Sequence, residues 1–80
     1  MKARVIVTLK SGILDPQGKA IEGALKSLGV TGVASVRQGK VFDIELAGAD
    51  RQRAEAALKD AAEKLLANMV IENYRIEVTG

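Results

Sequence analysis

The apolar residues of this chain switch twice from a period of two to a period near 3.6, and that alternation restricts the fold more than any other feature. Val5, Val7 and Leu9 alternate with Arg4, Thr8 and Lys10, which predicts a strand of about eight residues. Ile6 interrupts the polar side of that strand, so the second face is expected to be partly covered. Ser11-Gly12 reads as a turn. Asp15-Pro16 reads as a helix start, with Asp15 as N-cap and Pro16 at the first helical position. Ile21, Ala24, Leu25 and Leu28 then form one apolar stripe, and Gly29 stands where a C-terminal cap belongs.

Val30 to Arg37 is apolar, β-branched and interrupted by Gly32, which predicts a second, short or bulged strand. Gln38-Gly39 carries a two-residue hairpin signal. A third strand is expected from Lys40 to Leu46, with Phe42, Ile44 and Leu46 facing one way and Asp43 and Glu45 the other. Gly48 ends it and Asp50 caps a second helix. Ala54, Ala57, Leu58, Ala61, Ala62, Leu65 and Leu66 make that helix's expected buried stripe, and the alanines imply close approach to a sheet. Asn68 is the expected C-terminal cap. Val70, Tyr74, Ile76 and Val78 are assigned to a last strand. The expected fold class is therefore α+β, a βαββαβ chain forming one domain over residues 1–80. Its sheet would be four-stranded and antiparallel, with both helices on one face. The other face would carry Arg4, Ile6, Thr8, Ala34, Val36, Asp43, Glu45 and Arg75, a mixture that calls for a second layer from another chain.

Composition narrows the chemistry. The 80 residues contain no cysteine and no histidine. Disulfides, thiolate nucleophiles and histidine bases are excluded, and a zinc site would need carboxylates alone. A chain this short buries only about 60% of the surface its unfolded form exposes. With disulfides and metal removed, a partner subunit is the support that remains. Twelve Lys and Arg against ten Asp and Glu give a net charge of +2, and the cations are dispersed rather than clustered. RNA binding on a sheet of this order needs stacked aromatics, and Phe42 and Tyr74 are the only ones. Gly39-Lys40 is followed by Val41, so no phosphate loop forms. Asp43 and Glu45 share a strand face without the apolar surroundings that raise a carboxylate pKa. The longest uncharged stretch, Ser27 to Val36, has 10 residues, far short of the ~20 a membrane helix requires. No apolar signal core follows Met1, so a cytoplasmic location is expected. On residues alone three classes stay open: an assembly subunit, an RNA binder, and a small-ligand-binding regulatory module using Gly29–Gly32 backbone N–H groups at a dimer edge.

Three segments together resemble one family. They are Leu9-Lys10-Ser11-Gly12-Ile13-Leu14-Asp15-Pro16-Gln17-Gly18, then Val36-Arg37-Gln38-Gly39-Lys40, then Leu65-Leu66-Ala67-Asn68-Met69-Val70-Ile71-Glu72-Asn73-Tyr74. In order, spacing and total length they are similar to PurS, the small subunit of phosphoribosylformylglycinamidine synthase in purine biosynthesis. The resemblance covers nearly the whole chain, and Met69 stands where the family usually has proline. It implies a ferredoxin-like, PurS-like fold and a non-catalytic part in an ATP- and glutamine-dependent carbon–nitrogen ligase. A glutaminase subunit (PurQ) would release ammonia, and a synthetase subunit (PurL) would use ATP to activate the amide that ammonia converts to an amidine. ATP and Mg are expected on the synthetase, with no cofactor on this chain, which is expected to be a homodimer or tetramer. The residues of the three segments expected at partner interfaces are Leu14, Asp15, Pro16, Gln17, Arg37, Lys40, Asn68, Glu72 and Tyr74.

Overall fold

The computed structural model describes residues 1–79, so Gly80 of the expected domain lies outside the described residues. Three strands, β1 (Lys2–Leu9), β2 (Gly39–Glu45) and β3 (Glu72–Thr79), form one antiparallel sheet in the order β2-β1-β3. The helices are α1 (Pro16–Ser27) and α2 (Arg51–Ala61), and a π turn, Ala62–Leu66, extends α2. The period-two alternation of β1 has its expected consequence. Ala3, Val5 and Val7 point to one side and are buried, with Val5 and Val7 fully enclosed. Opposite them lie Ile44, Phe42 and Lys40 of β2, and Val78, Ile76 and Tyr74 of β3.

Among the described residues, only α2, its π extension and the following Ala67 cover this face. Ala62 and Ala67 are buried against Val5 and Val7, with Phe42, Ile44, Leu66, Tyr74 and Ile76 packed around them. The alanines do bring helix and sheet together. Asp50 caps α2 by accepting from the Arg53 N–H at 3.1 Å. Leu65 departs from the expected stripe and is 79% exposed. The cause is the π turn, whose wider ring takes more residues per turn and rotates later side chains out of an α-helical stripe. Ala57 is exposed too.

The sheet has three strands rather than four. Val30–Arg37 follows α1 without joining the sheet, so Gln38-Gly39 is not a hairpin, and β2 pairs with β1 instead. Ala34 and Val36 consequently leave the open face, which holds Arg4 beside Asp43 and Glu77, and Ile6 beside Val41 and Arg75. The α1 helix also fails to cover the core. Its one buried residue is Gly18, and it contributes nothing to the central cluster. Together α1 and the return segment form an arm. The radius of gyration, 15.9 Å, exceeds the roughly 12 Å expected of a compact chain of this length. The arm's tip closes as expected: Gly29 has φ +87°, its N–H donates to the Lys26 carbonyl, and the Val30 N–H donates to Leu25.

Asn68 does not cap a helix. Its Oδ1 accepts from the Val70 N–H at 3.1 Å, and its carbonyl accepts from Ile71 and Glu72. It shapes a turn, so Val70 sits outside β3 and is 81% exposed. A methionine at 69 is accommodated in this turn.

Close approach explains one glycine of the sheet. A Cβ at Gly39 would lie 2.6 Å from the Val7 carbonyl oxygen and 2.9 Å from Thr8 Cγ2. Gly39→Ala is expected to loosen the β1–β2 pairing and to cost about 1–3 kcal/mol, as overpacking does. Urea unfolding measures this, and an unchanged midpoint contradicts it.

Candidate functional site

The base of the arm gathers most of the residues singled out from the sequence. Asp15, in extended conformation, caps α1: its Oδ1 accepts from the Gly18 N–H at 2.9 Å. Its second oxygen, Oδ2, accepts from the Gln38 N–H, also at 2.9 Å. Two hydrogen bonds from one carboxylate thus tie the start of α1 to the entrance of β2. The adjacent Arg37 guanidinium donates to the Leu9 carbonyl at 2.7 Å and to the Lys10 carbonyl at 2.8 Å. These oxygens lie at the end of the central strand, where the ladder stops.

Lys40 and Glu72 meet across that same end of the sheet, with Nζ 3.7 Å from Oε2. Glu72 Oε1 accepts from the Asn68 N–H at 2.7 Å, so this carboxylate also serves two donors. Val7, Leu9, Asp15, Gln17, Lys40 and Glu72 line a shallow cleft of about 320 Å³. Four of the nine candidates therefore share one cleft, and Arg37 and Asn68 are bonded to its walls. Leu14 lies outside it, 71% exposed beside Ile13, Ser35 and Val36. Pro16 is exposed at the first turn of α1. Tyr74 stands apart beside the π turn, where its hydroxyl donates to Glu63 Oε1 at 3.0 Å. Burial and that carboxylate raise the Tyr74 pKa.

The electrostatics favour holding over proton transfer. The amides of Gln38 and Gly18, and then the charge of Arg37, hold the Asp15 carboxyl below its ordinary value. A depressed carboxylate is a poor general base near neutrality. Among the described residues, no group of three or more Asp or Glu is placed to hold a metal. The depressed pKa also sets a pH window. Because Asp15 binds its proton less tightly when folded, its contribution is complete above the unfolded carboxylate value of about 3.9 and disappears as pH falls through the lower folded one. A carboxyl-carbon NMR titration should place the Asp15 midpoint below that of an unfolded peptide. An equal or higher midpoint contradicts the two hydrogen bonds.

Sequence reasoning missed the close packing at Gly18 and the part of Gln38 in this site. A Cβ at Gly18 would sit 2.3 Å from the Val36 carbonyl oxygen and 2.8 Å from Asp15 Oδ2. Its signal was available: glycine inside a helix is unfavourable by about 1 kcal/mol relative to alanine, which suggests a packing reason. The Gln38 N–H has no signal in the sequence, since any residue but proline supplies one.

The site is thus a small α+β domain's polar cluster that holds its own backbone at the base of an arm. The comparisons place the chain more closely. The family model for PurS, phosphoribosylformylglycinamidine (FGAM) synthase, matches residues 2–80. The PurS subunit of Mycobacterium leprae is 51% identical over 75 residues, covering 94% of this chain and 91% of the relative. That of Bacillus subtilis is 46% identical over 77 residues, covering 96% and 90%. The B. subtilis PurS structure superposes with a TM-score of 0.84 at 44% identity, covering 99% of this chain and 98% of that one. A chain in the PurLQS structure from Thermotoga maritima gives 0.87 at 32% identity, covering 95% and 93%. This chain belongs to the PurS family, the small subunits of FGAM synthase in purine biosynthesis. No helix among the described residues is long and apolar enough to cross a membrane.

Proposed function

We propose that the chain joins the glutaminase and synthetase subunits of FGAM synthase and contributes no reacting group of its own. In this reading glutamine is hydrolysed on one partner. ATP activates the substrate amide on the other, and ammonia displaces the activated oxygen there. ATP and Mg belong to the synthetase, and this chain binds no cofactor. The relative within the PurLQS assembly supports such partners. The observation that carries the reading is the arm. A chain this small commits α1 and residues 30–38 outside its own core, leaving Ile21, Leu28 and Val30 exposed at 39%, 79% and 45%. Those residues and the unpaired β-branched segment suit a second copy, giving a homodimer or tetramer of the single domain. A stable interface of that kind buries ~800 Å² per partner.

Omission is the decisive experiment. Glutamine-dependent amidine synthesis by the two large subunits should fall strongly without this chain and return on its addition. Full activity in its absence refutes the assembly role. A mass of 8.5 kDa by light scattering at micromolar concentration refutes self-association. Of the Gly29–Gly32 amides that the regulatory-module reading would use, those of Gly29 and Val30 are already bonded to carbonyls of α1.

A further inference from the structure

We propose that the Asp15 carboxylate is a clasp that sets the direction of the arm relative to the sheet, and that self-association depends on that direction. The second half rests on the assembly reading above. One oxygen holds the Gly18 amide of α1, and the other holds the amide of Gln38, 23 residues beyond Asp15. The two ends of the arm are thereby closed on each other. Gly18 lets the contact form, because its bare α-carbon is what admits the Val36 carbonyl. Arg37 then fastens the returning chain to the Leu9 and Lys10 carbonyls, which anchors the closed base to β1. Further out, α1 contributes no residue to the central core cluster, so its orientation is decided at the base.

The lever is long. Twelve helical residues at 1.5 Å each reach about 18 Å, so a tilt of about 10° at the base displaces the tip by about 3 Å. Preformed interfaces move by about 1 Å or less on binding. Loosening the clasp should therefore misplace Leu28 and Val30 while sparing the buried face of the sheet. Asp15 is a positioning residue, acting through the arm.

Two variants separate this role from helix capping. Asp15→Ser retains an acceptor for Gly18 but has no second oxygen for Gln38. Asp15→Asn retains the cap and turns an N–H₂ toward the Gln38 N–H, donor against donor. Amide exchange and concentration-dependent light scattering are measured on the full chain. Both variants should speed Gln38 exchange roughly tenfold, the scale of one bond to a charged acceptor, with Val5 and Val7 exchange unchanged. Both should also shift dissociation of the assembly to higher concentration. If Asp15→Ser unfolds the sheet, Asp15→Asn supplies the result. Unchanged Gln38 exchange overturns the clasp. Faster exchange with unchanged association overturns its role in assembly. A wild-type chain that is monomeric at every concentration refutes self-association, while Gln38 exchange still decides the clasp.

Discussion

Leu58→Ala is expected to bring the isolated chain close to unfolding. Leu58 is the buried residue of α2 and only 4% exposed. Leu58 lies one turn before Ala62, which belongs to the buried cluster with Val5, Val7 and Ala67, and Phe42, Ile44, Leu66, Tyr74 and Ile76 pack around that cluster. Close-packed surroundings relax only partly into a vacated volume, so much of the cavity should persist. Removing a buried leucine costs about 2–5 kcal/mol. Eighty residues at 0.05–0.15 kcal/mol each have about 4–12 kcal/mol in total. One side chain thus accounts for a large share of the stability. Urea unfolding should show a much lower midpoint at unchanged slope. A loss below about 1 kcal/mol would mean that the site collapses around the deletion, contrary to this packing.

Alanine at the two glycines of α1 is expected to act with opposite signs. At Gly23 the new Cβ meets nothing within 4 Å and φ is not positive. Gly23→Ala should stabilise by about 0.4–1 kcal/mol through reduced freedom of the unfolded chain. At Gly18 the same methyl meets the Val36 carbonyl oxygen at 2.3 Å and Asp15 Oδ2 at 2.8 Å. A backbone oxygen cannot rotate away, so the return segment has to shift and the Gln38–Asp15 bond opens. The cost should be about 1–3 kcal/mol, more than the helix-propensity gain of about 1 kcal/mol. Thermal melts of both variants, with exchange at Gln38, test the pair. If Gly18→Ala matches Gly23→Ala, the arm base is looser than its geometry shows.

The residues that could be read correctly in advance were those whose physics is local. Strand β1 follows from alternation in consecutive residues. The caps Asp15 and Asp50 follow from side chains that reach amides three residues away. Gly29 follows from its φ of +87°. Each depends on a few neighbouring side chains, so periodicity and residue type suffice.

Long-range decisions were hidden. Val30–Arg37 has strand composition, yet which edge a segment pairs with is not set by its own residues, and β1 pairs with β2 and β3 rather than with this segment. Leu65 sat correctly on an α-helical stripe until the π turn changed the angular step. The second oxygen of Asp15 shows the same limit. Aspartate and asparagine cap a helix almost equally well, so the sequence could not tell that Asp15 also receives the Gln38 amide.

The sequence by itself therefore determined the kinds and order of the elements, the buried side of β1, and the absence of cysteine and histidine chemistry. Its three quoted segments also carried the family. Only the tertiary structure decided that the sheet has three strands, that α1 leaves the core, and that Asp15, Gln17, Lys40 and Glu72 meet in one cleft. The physical reason is range. Propensity, capping and alternation are energies of adjacent residues. Strand pairing and the meeting of residues 15, 40 and 72 depend on which surfaces remain free once the core has closed.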